Sequence, residues 1–290
     1  MPRFMQFAPR ALINWAVCST LLFAGAQSHA QSQPASFEPV IGQAGKDVIW
    51  VPTPPLLVER MLRMAQVTAN DTVIDLGAGD GRIAIAAAKD FGARSIGLEY
   101  NPDMVNLSRA EAQKAGVAGR ATFQEADIYK ADFSAASVLT MYLLPNINLD
   151  LRPTILKMRP GTRVVSHQFN MGDWAPDDTS DLLGRLAYLW IVPARVEGRW
   201  AIDIPGNQPS SYTVSLRQEY QKVSGSIMPG KTTMGLRGAA LSGDRLRFAF
   251  VDDEGRLREA SAIVSGAAMS GELRTNGANP ASFTARLLDN

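Results

Sequence analysis

Between residues 71 and 168 short apolar runs alternate with segments whose apolar positions recur at helical spacing. The runs 72–75, 95–99, 121–125, 137–143 and 163–168 predict strands; 83–91, 103–115 and 147–158 predict the helices between them. Regular strand–helix alternation predicts a parallel, doubly wound α/β sheet with helices on both faces. Upstream, Leu57, Met61, Met64 and Ala65 give 56–66 helical spacing, after the stiff, extended Trp50-Val51-Pro52-Thr53-Pro54-Pro55. After about Pro193 the helical period fades. Short strands are predicted at 199–204, 212–218, 221–227, 233–236, 246–251, 260–264 and 281–287, punctuated by Gly225, Gly230, Gly238, Gly243, Gly255, Gly266 and Gly271. That texture predicts a small all-β barrel or sandwich.

The first thirty residues read differently. Arg3 and Arg10 precede an apolar stretch over 11–26, and Ser28-His29-Ala30 has the small residues of a cleavage site. This is the pattern of a secretory signal peptide. Export to the periplasm is therefore expected, with an uncleaved N-terminal membrane anchor as the alternative. Expected boundaries are 1–30 for the leader, 31–49 for a polar linker, 50–194 for the α/β domain and 195–290 for the β-rich domain. The only cysteine, Cys18, and one of the two histidines, His29, fall in the leader. The remainder offers neither disulfides nor a cysteine- or histidine-rich metal site, and no metal is expected. A net charge of +1 gives no broad basic face for nucleic acid.

The chemistry concentrates at strand ends. Val73-Ile74-Asp75-Leu76-Gly77-Ala78-Gly79-Asp80-Gly81-Arg82 runs an apolar strand into an acid, then a glycine-dense turn, then a helix. Such a corner puts bare backbone and a helix N-terminus beside a ligand. The glycines at 77, 79 and 81 stand one residue closer than in the dinucleotide fingerprint. Asp75 and Asp80 would repel phosphates and favour a ligand with a cationic or hydrogen-bond-donating end. Glu99 closes the second strand and can accept both hydroxyls of a ribose, with Tyr100 beside it. Asp127, after the third strand, can accept an adenine amino group while Ile128 packs on the ring. Strand carboxyl ends converge on one crevice in a doubly wound sheet, so these acids are expected to line one ligand-length groove.

Asp-Leu-Gly-x-Gly-x-Gly resembles the first motif of class I S-adenosylmethionine (SAM)-dependent methyltransferases, which implies a Rossmann-like sheet and SAM as cofactor. A narrower likeness rests on Val51-Pro-Thr-Pro-Pro55 with Val58-Glu59, on residues 75–83, on Gly97-Leu-Glu-Tyr-Asn-Pro102, and on Tyr142-Leu-Leu-Pro145 followed by Pro160-Gly-Thr-Arg-Val-Val-Ser166 and Trp174. These resemble the small protein-lysine methyltransferases with an N-terminal membrane segment, typified by mitochondrial enzymes acting on membrane carriers and on an ATP synthase subunit. In that family the acid, asparagine and proline are contiguous; here Tyr100 intervenes, and the β-rich third has no counterpart in the mitochondrial members. The resemblance implies methyl transfer to lysine of a protein acceptor, membrane-associated in the mitochondrial cases. Tyr142 and Pro145 would present the acceptor after the fourth strand, and His167 would be a polar contact at the end of the fifth. Trp174 would wall the acceptor channel or simply pack, and Trp50 would cover the methionyl end. Three alternatives stay open: an exported, non-catalytic binding protein on the same fold, since SAM is made in the cytosol; a small-molecule methyltransferase; and a nicotinamide oxidoreductase, which could supply the first two strand-end acids.

Overall fold

The structure is a computed structural model that describes residues 37–205 and 210–288; the leader, with Cys18 and His29, lies outside the described residues. Among the described residues, proline opens three of the four helices. Helix α1 (Pro55–Met64) has Pro55 at its first turn, where the missing N–H would have had no partner, and buries Leu57, Val58, Met61 and Leu62 along one stripe. It precedes β1 (Thr72–Leu76), α2 (Arg82–Phe91), β2 (Arg94–Glu99), α3 (Pro102–Lys114), β3 (Ala121–Glu125), β4 (Val138–Met141), α4 (Pro145–Ile155) and β5 (Arg163–His167). Two further strands, β6 (Asp178–Leu182) and β7 (Arg185–Ile191), complete a seven-stranded sheet of order β3-β2-β1-β4-β5-β7-β6.

Strands β1 to β5 run parallel, as the alternation predicts, whereas β7 pairs antiparallel with β5 and β6 antiparallel with β7. The physical reason is the connection: β6 and β7 are joined by the tight turn Leu183-Gly184, both at positive φ, with no helix to carry the chain back across the sheet. Alternation along β1, β4 and β5 sends Val73, Val138 and Val165 towards α1 and α2, and Ile74, Leu139 and Val164 towards α4. Both faces are thus covered, the condition for a parallel sheet. Strand order reverses between β1 and β4, and that is where a ligand crevice is expected.

The remaining strands form a second, antiparallel sheet: β8 (Gly198–Ile204), β9 (Ser210–Glu219), β10 (Lys222–Met228), β11 (Met234–Gly235), β12 (Arg237–Ser242), β13 (Arg245–Val251), β14 (Leu257–Ser265), β15 (Ala268–Thr275) and β16 (Ala281–Leu288). Their order, β11-β10-β9-β8-β16-β15-β14-β13-β12, brings β12 round to β10, and the Leu236 N–H donates to the Gly225 carbonyl at 3.0 Å across that seam. The result is a nearly closed barrel. Its interior is filled by Trp200, Tyr212, Phe248, Phe250 and Phe283 among others, all buried. β12 and β15 escape the sequence pattern because glycine there reads as turn punctuation. Gly271 instead lies inside β15, where a Cβ would come within 2.1 Å of the Ser261 carbonyl oxygen. Here glycine permits close approach of neighbouring backbone.

Candidate active site

A cavity of about 670 Å³ opens at the carboxyl ends of β1, β2 and β4, within the range of small-molecule sites. Asp75, Gly77, Asp80, Glu99, Tyr100, Asp127, Ile128 and Tyr142 all line it. The groove foreseen from three strand-end acids is therefore one continuous space.

The Glu-Tyr-Asn-Pro sequence explains the floor. Asn101 caps α3, its side chain accepting from the Asp103 N–H at 2.9 Å, and Pro102 starts the helix. The Asn101 N–H in turn donates to Glu99 Oε1 at 2.9 Å, and the Gly79 N–H donates to Glu99 Oε2 at 2.9 Å. One carboxylate thus ties the glycine turn to the start of α3. At the far end of the groove Asp127 lies 3.6 Å from Lys46 Nζ, whose ammonium stands 5.3 Å from the centroid of the Tyr100 ring and 5.4 Å from that of Tyr129. Asp80 pairs with Arg82, whose Nε lies 3.0 Å from Asp80 Oδ1, while Arg82 Nη1 donates to the Thr53 carbonyl at 2.9 Å. Arg82 therefore partly neutralises Asp80 and fastens the proline-rich segment over the cavity.

Asp75 is the anomalous acid. It is 2% exposed, accepts from Thr140 Oγ1 at 2.7 Å and has no basic partner among the described residues. Burial, reinforced by the charges of Asp80 and Glu99, pushes its carboxyl up to about 7, although the Thr140 hydrogen bond works the other way. A carboxyl whose folded pKa is raised favours the fold at low pH and loses that contribution as pH rises through about 7. Stability is thus forfeited at neutral pH at a position where a cation would restore it.

Four foreseen residues, Gly79, Gly81, Pro145 and His167, sit outside the cavity lining. Gly81 faces away from the cavity: a Cβ there would meet the Phe123 ring at 2.6 Å and Ser108 Cβ at 2.7 Å, so this glycine serves the packing of α3 and β3. Pro145 starts α4 and is exposed outside the cavity lining, whereas Tyr142, Leu143 and Leu144 line it. His167 is 1% exposed and stands behind Tyr142, with ring centroids 3.8 Å apart; its Nδ1 lies 3.0 Å from Thr53 Oγ1. Burial lowers its pKa to about 4, helped by the charge of Arg185, so the ring is neutral near pH 7 and buttresses Tyr142 and Thr53. Gly79 lies outside the cavity lining: a Cβ there would strike Trp50 Nε1 at 2.7 Å, so the indole covers this glycine. Trp174 is wholly buried between Trp190 and Tyr220, away from the cavity lining.

The wall that sequence reasoning missed is 43–49, which its polar composition presents as the end of a linker. Ala44 and Ile49 form a β-bridge, the Gly42 N–H donates to the Trp50 carbonyl at 2.9 Å, and all seven residues line the cavity. The signal was present: Gly42, Gly45 and Asp47 are turn formers, and the apolar Val48-Ile49-Trp50 follows them. Thr53 and Phe169, also in the lining, carried no comparable signal.

This combination fits SAM. The cavity has the size, the acids stand at consecutive strand ends, and a buried carboxyl without a basic partner among the described residues favours a ligand with a cationic end.

Comparison with known proteins agrees. Residues 75–178 match the family model described as the ANTKMT methyltransferase domain. A protein-lysine N-methyltransferase of Saccharolobus islandicus is 42% identical over 151 residues, which are 50% of this chain and 94% of that protein. The ATP synthase C-subunit lysine N-methyltransferase of Mus musculus is 36% identical over 132 residues, 45% of this chain and 53% of that protein, so the match spans about half the length of the mouse enzyme. Among solved structures, an RNA methyltransferase from Salinibacter ruber in complex with S-adenosyl-L-homocysteine is 50% identical, with a TM-score of 0.50 over 50% of this chain and 96% of that one. The chain belongs to the ANTKMT-domain family of SAM-dependent methyltransferases.

Proposed function

We propose that the chain methylates lysine side-chain amines of a protein acceptor. The observation that carries this is the single cavity joining the three strand-end acids to Tyr142-Leu143-Leu144, in a chain of which half is 42% identical to the Saccharolobus islandicus protein-lysine enzyme. SAM, when bound, supplies an already activated methyl group, so the protein has to align and shield rather than activate. In this reading Asp127 and Ile128, with Tyr100, hold the adenine, and Glu99 accepts the ribose hydroxyls. Asp75, Gly77 and Asp80 face the methionyl end, with Gly79 behind the Trp50 indole. Tyr142 and the backbone after β4 orient the incoming amine. Trp50, Leu143, Ile147 and Phe169 keep water away and disfavour the ammonium form of the acceptor, leaving the lone pair free to attack. His167 is a support for Tyr142 and takes no proton.

A pH dependence follows from Asp75. The cationic cofactor favours its carboxylate, and that carboxyl is pushed up to about 7 without ligand. SAM affinity should therefore fall as pH drops below about 7, by about tenfold between pH 7.5 and 5.5. Asp75→Asn should bind more weakly and lose that slope. Calorimetric titration across this range checks both.

One observation favours a second acceptor class: the Salinibacter ruber relative is named an RNA methyltransferase. A net charge of +1 argues against it. Full-length protein incubated with methyl-tritiated SAM and separate membrane-protein, soluble-protein and RNA fractions of the source cells decides. The expected result is label in protein, strongest in the membrane fraction and recovered as methyl-lysine after hydrolysis. Label confined to RNA would overturn the reading. Export is part of the proposal, on the strength of the leader pattern; N-terminal sequencing should find the mature chain starting at Gln31.

A further inference from the structure

We propose that the barrel braces the acceptor wall of the active site through the tip of the β9–β10 hairpin, Tyr220-Gln221. The proposal rests on the assignment of the cavity mouth after β4 to the acceptor, and extends it to a domain with no assigned role. The Saccharolobus islandicus relative is matched over 94% of its own length by half of this chain, so it has almost no length left for such a domain.

The hairpin turns at Tyr220, which has φ 54°, and so delivers two consecutive side chains onto the loop that follows β5. The Gln221 amide closes a reciprocal pair of hydrogen bonds: its Oε1 accepts from Trp174 Nε1 at 3.0 Å, and its Nε2 donates to the Ala175 carbonyl at 2.7 Å. The Tyr220 ring lies on Trp174, centroids 5.9 Å apart and planes 15° from parallel, and its hydroxyl donates to Asp173 Oδ2 at 3.0 Å. Arg152 of α4 stands 5.7 Å from the centroid of that ring, pairs with Asp173 and donates to the Met171 carbonyl at 2.7 Å.

The far end of the same loop is the acceptor wall. Asn148 of α4 is fully buried and donates through Nδ2 to the carbonyls of Phe169 at 3.2 Å and Asn170 at 3.3 Å. Phe169 lines the cavity and stacks on Tyr142 with centroids 6.3 Å apart. Residues 169–175 are thus held by α4 on one side and by the hairpin on the other. Without the hairpin, Trp174 loses the aromatic cover on one face and its indole N–H loses its acceptor. An uncovered buried donor costs stability locally. The loop that sets Phe169 against Tyr142 would then sample other positions. The cofactor acids lie on β1, β2 and the segment after β3, which this loop does not hold.

Tyr220 and Gln221 are accordingly positioning residues. The test uses the full chain with Tyr220→Ala, Gln221→Ala and the conservative Tyr220→Phe, which keeps the ring and loses only the hydroxyl. Hydrogen–deuterium exchange should quicken at amides 169–175 by about tenfold in both alanine variants. Exchange in β1–β3 should not change, and the SAM dissociation constant should stay within about twofold, the scatter of calorimetry on independent sites. With poly-L-lysine as acceptor probe, KM should rise about fivefold while kcat moves less, and Tyr220→Phe should recover most of the loss. Unchanged exchange at 169–175, or SAM affinity falling in step with it, overturns the brace. A wild-type protein inert towards poly-L-lysine counts against the lysine reading alone, because exchange and calorimetry still decide the brace.

Discussion

Glu99→Ala is expected to weaken SAM binding by about ten- to a hundredfold, the loss that follows from removing charge-assisted hydrogen bonds of about 1.5–3 kcal/mol. The carboxylate does two things at once. It holds the Gly79 and Asn101 N–H groups, each at 2.9 Å, and it presents its remaining lone pairs to the cavity where the ribose would lie. Removing it loosens the glycine turn and the start of α3 while deleting the acceptor. Glu99→Gln, which keeps one carbonyl oxygen, should fall between wild type and alanine. Calorimetry on folded protein reads the effect, and unchanged affinity in Glu99→Ala would remove the ribose assignment.

Gly81→Val should instead damage the fold. The residue has φ 80°, a left-handed conformation costing a β-branched side chain about 1–2 kcal/mol. A Cβ would also meet Phe123 at 2.6 Å and Ser108 at 2.7 Å, and such overpacking costs about 1–3 kcal/mol. Together these predict a fall in Tm of about 5–20 °C by thermal denaturation. Gly79→Val gives the contrast. At φ 57° it carries the same backbone cost, but its Cβ would strike the Trp50 side chain, which can be pushed aside, so that variant should lose cofactor affinity with a smaller change in Tm. Equal loss of Tm in the two would show that both glycines serve packing.

That contrast marks the boundary of what the sequence could tell. The five parallel strands and their end acids were legible because each signal is local: an apolar run, an acid, a glycine turn, a helical stripe. Asp75, Glu99 and Asp127 share a cavity because topology alone delivers strand ends to one edge. Whether a glycine faces the ligand or a neighbouring helix depends on Phe123 and Ser108, far along the chain, and Gly81 was misplaced for that reason. His167 carried the polar signature of a site residue, but Tyr142 and Thr53 stand between it and the cavity. The wall at 43–49 was hidden by its polar composition. The pairing of Tyr220 and Gln221 with Trp174 joins a hairpin tip of one sheet to a loop of the other and leaves no periodic trace in either. β15 was missed because Gly271, punctuation to a sequence reader, is a strand glycine under a neighbouring backbone.

The most direct measurement is calorimetric titration of the protein with SAM and, separately, with NAD at pH 7.5. One SAM site per chain, weakened by Glu99→Ala, and no heat from NAD are expected. Binding of NAD, or no binding of SAM by folded protein, would contradict this.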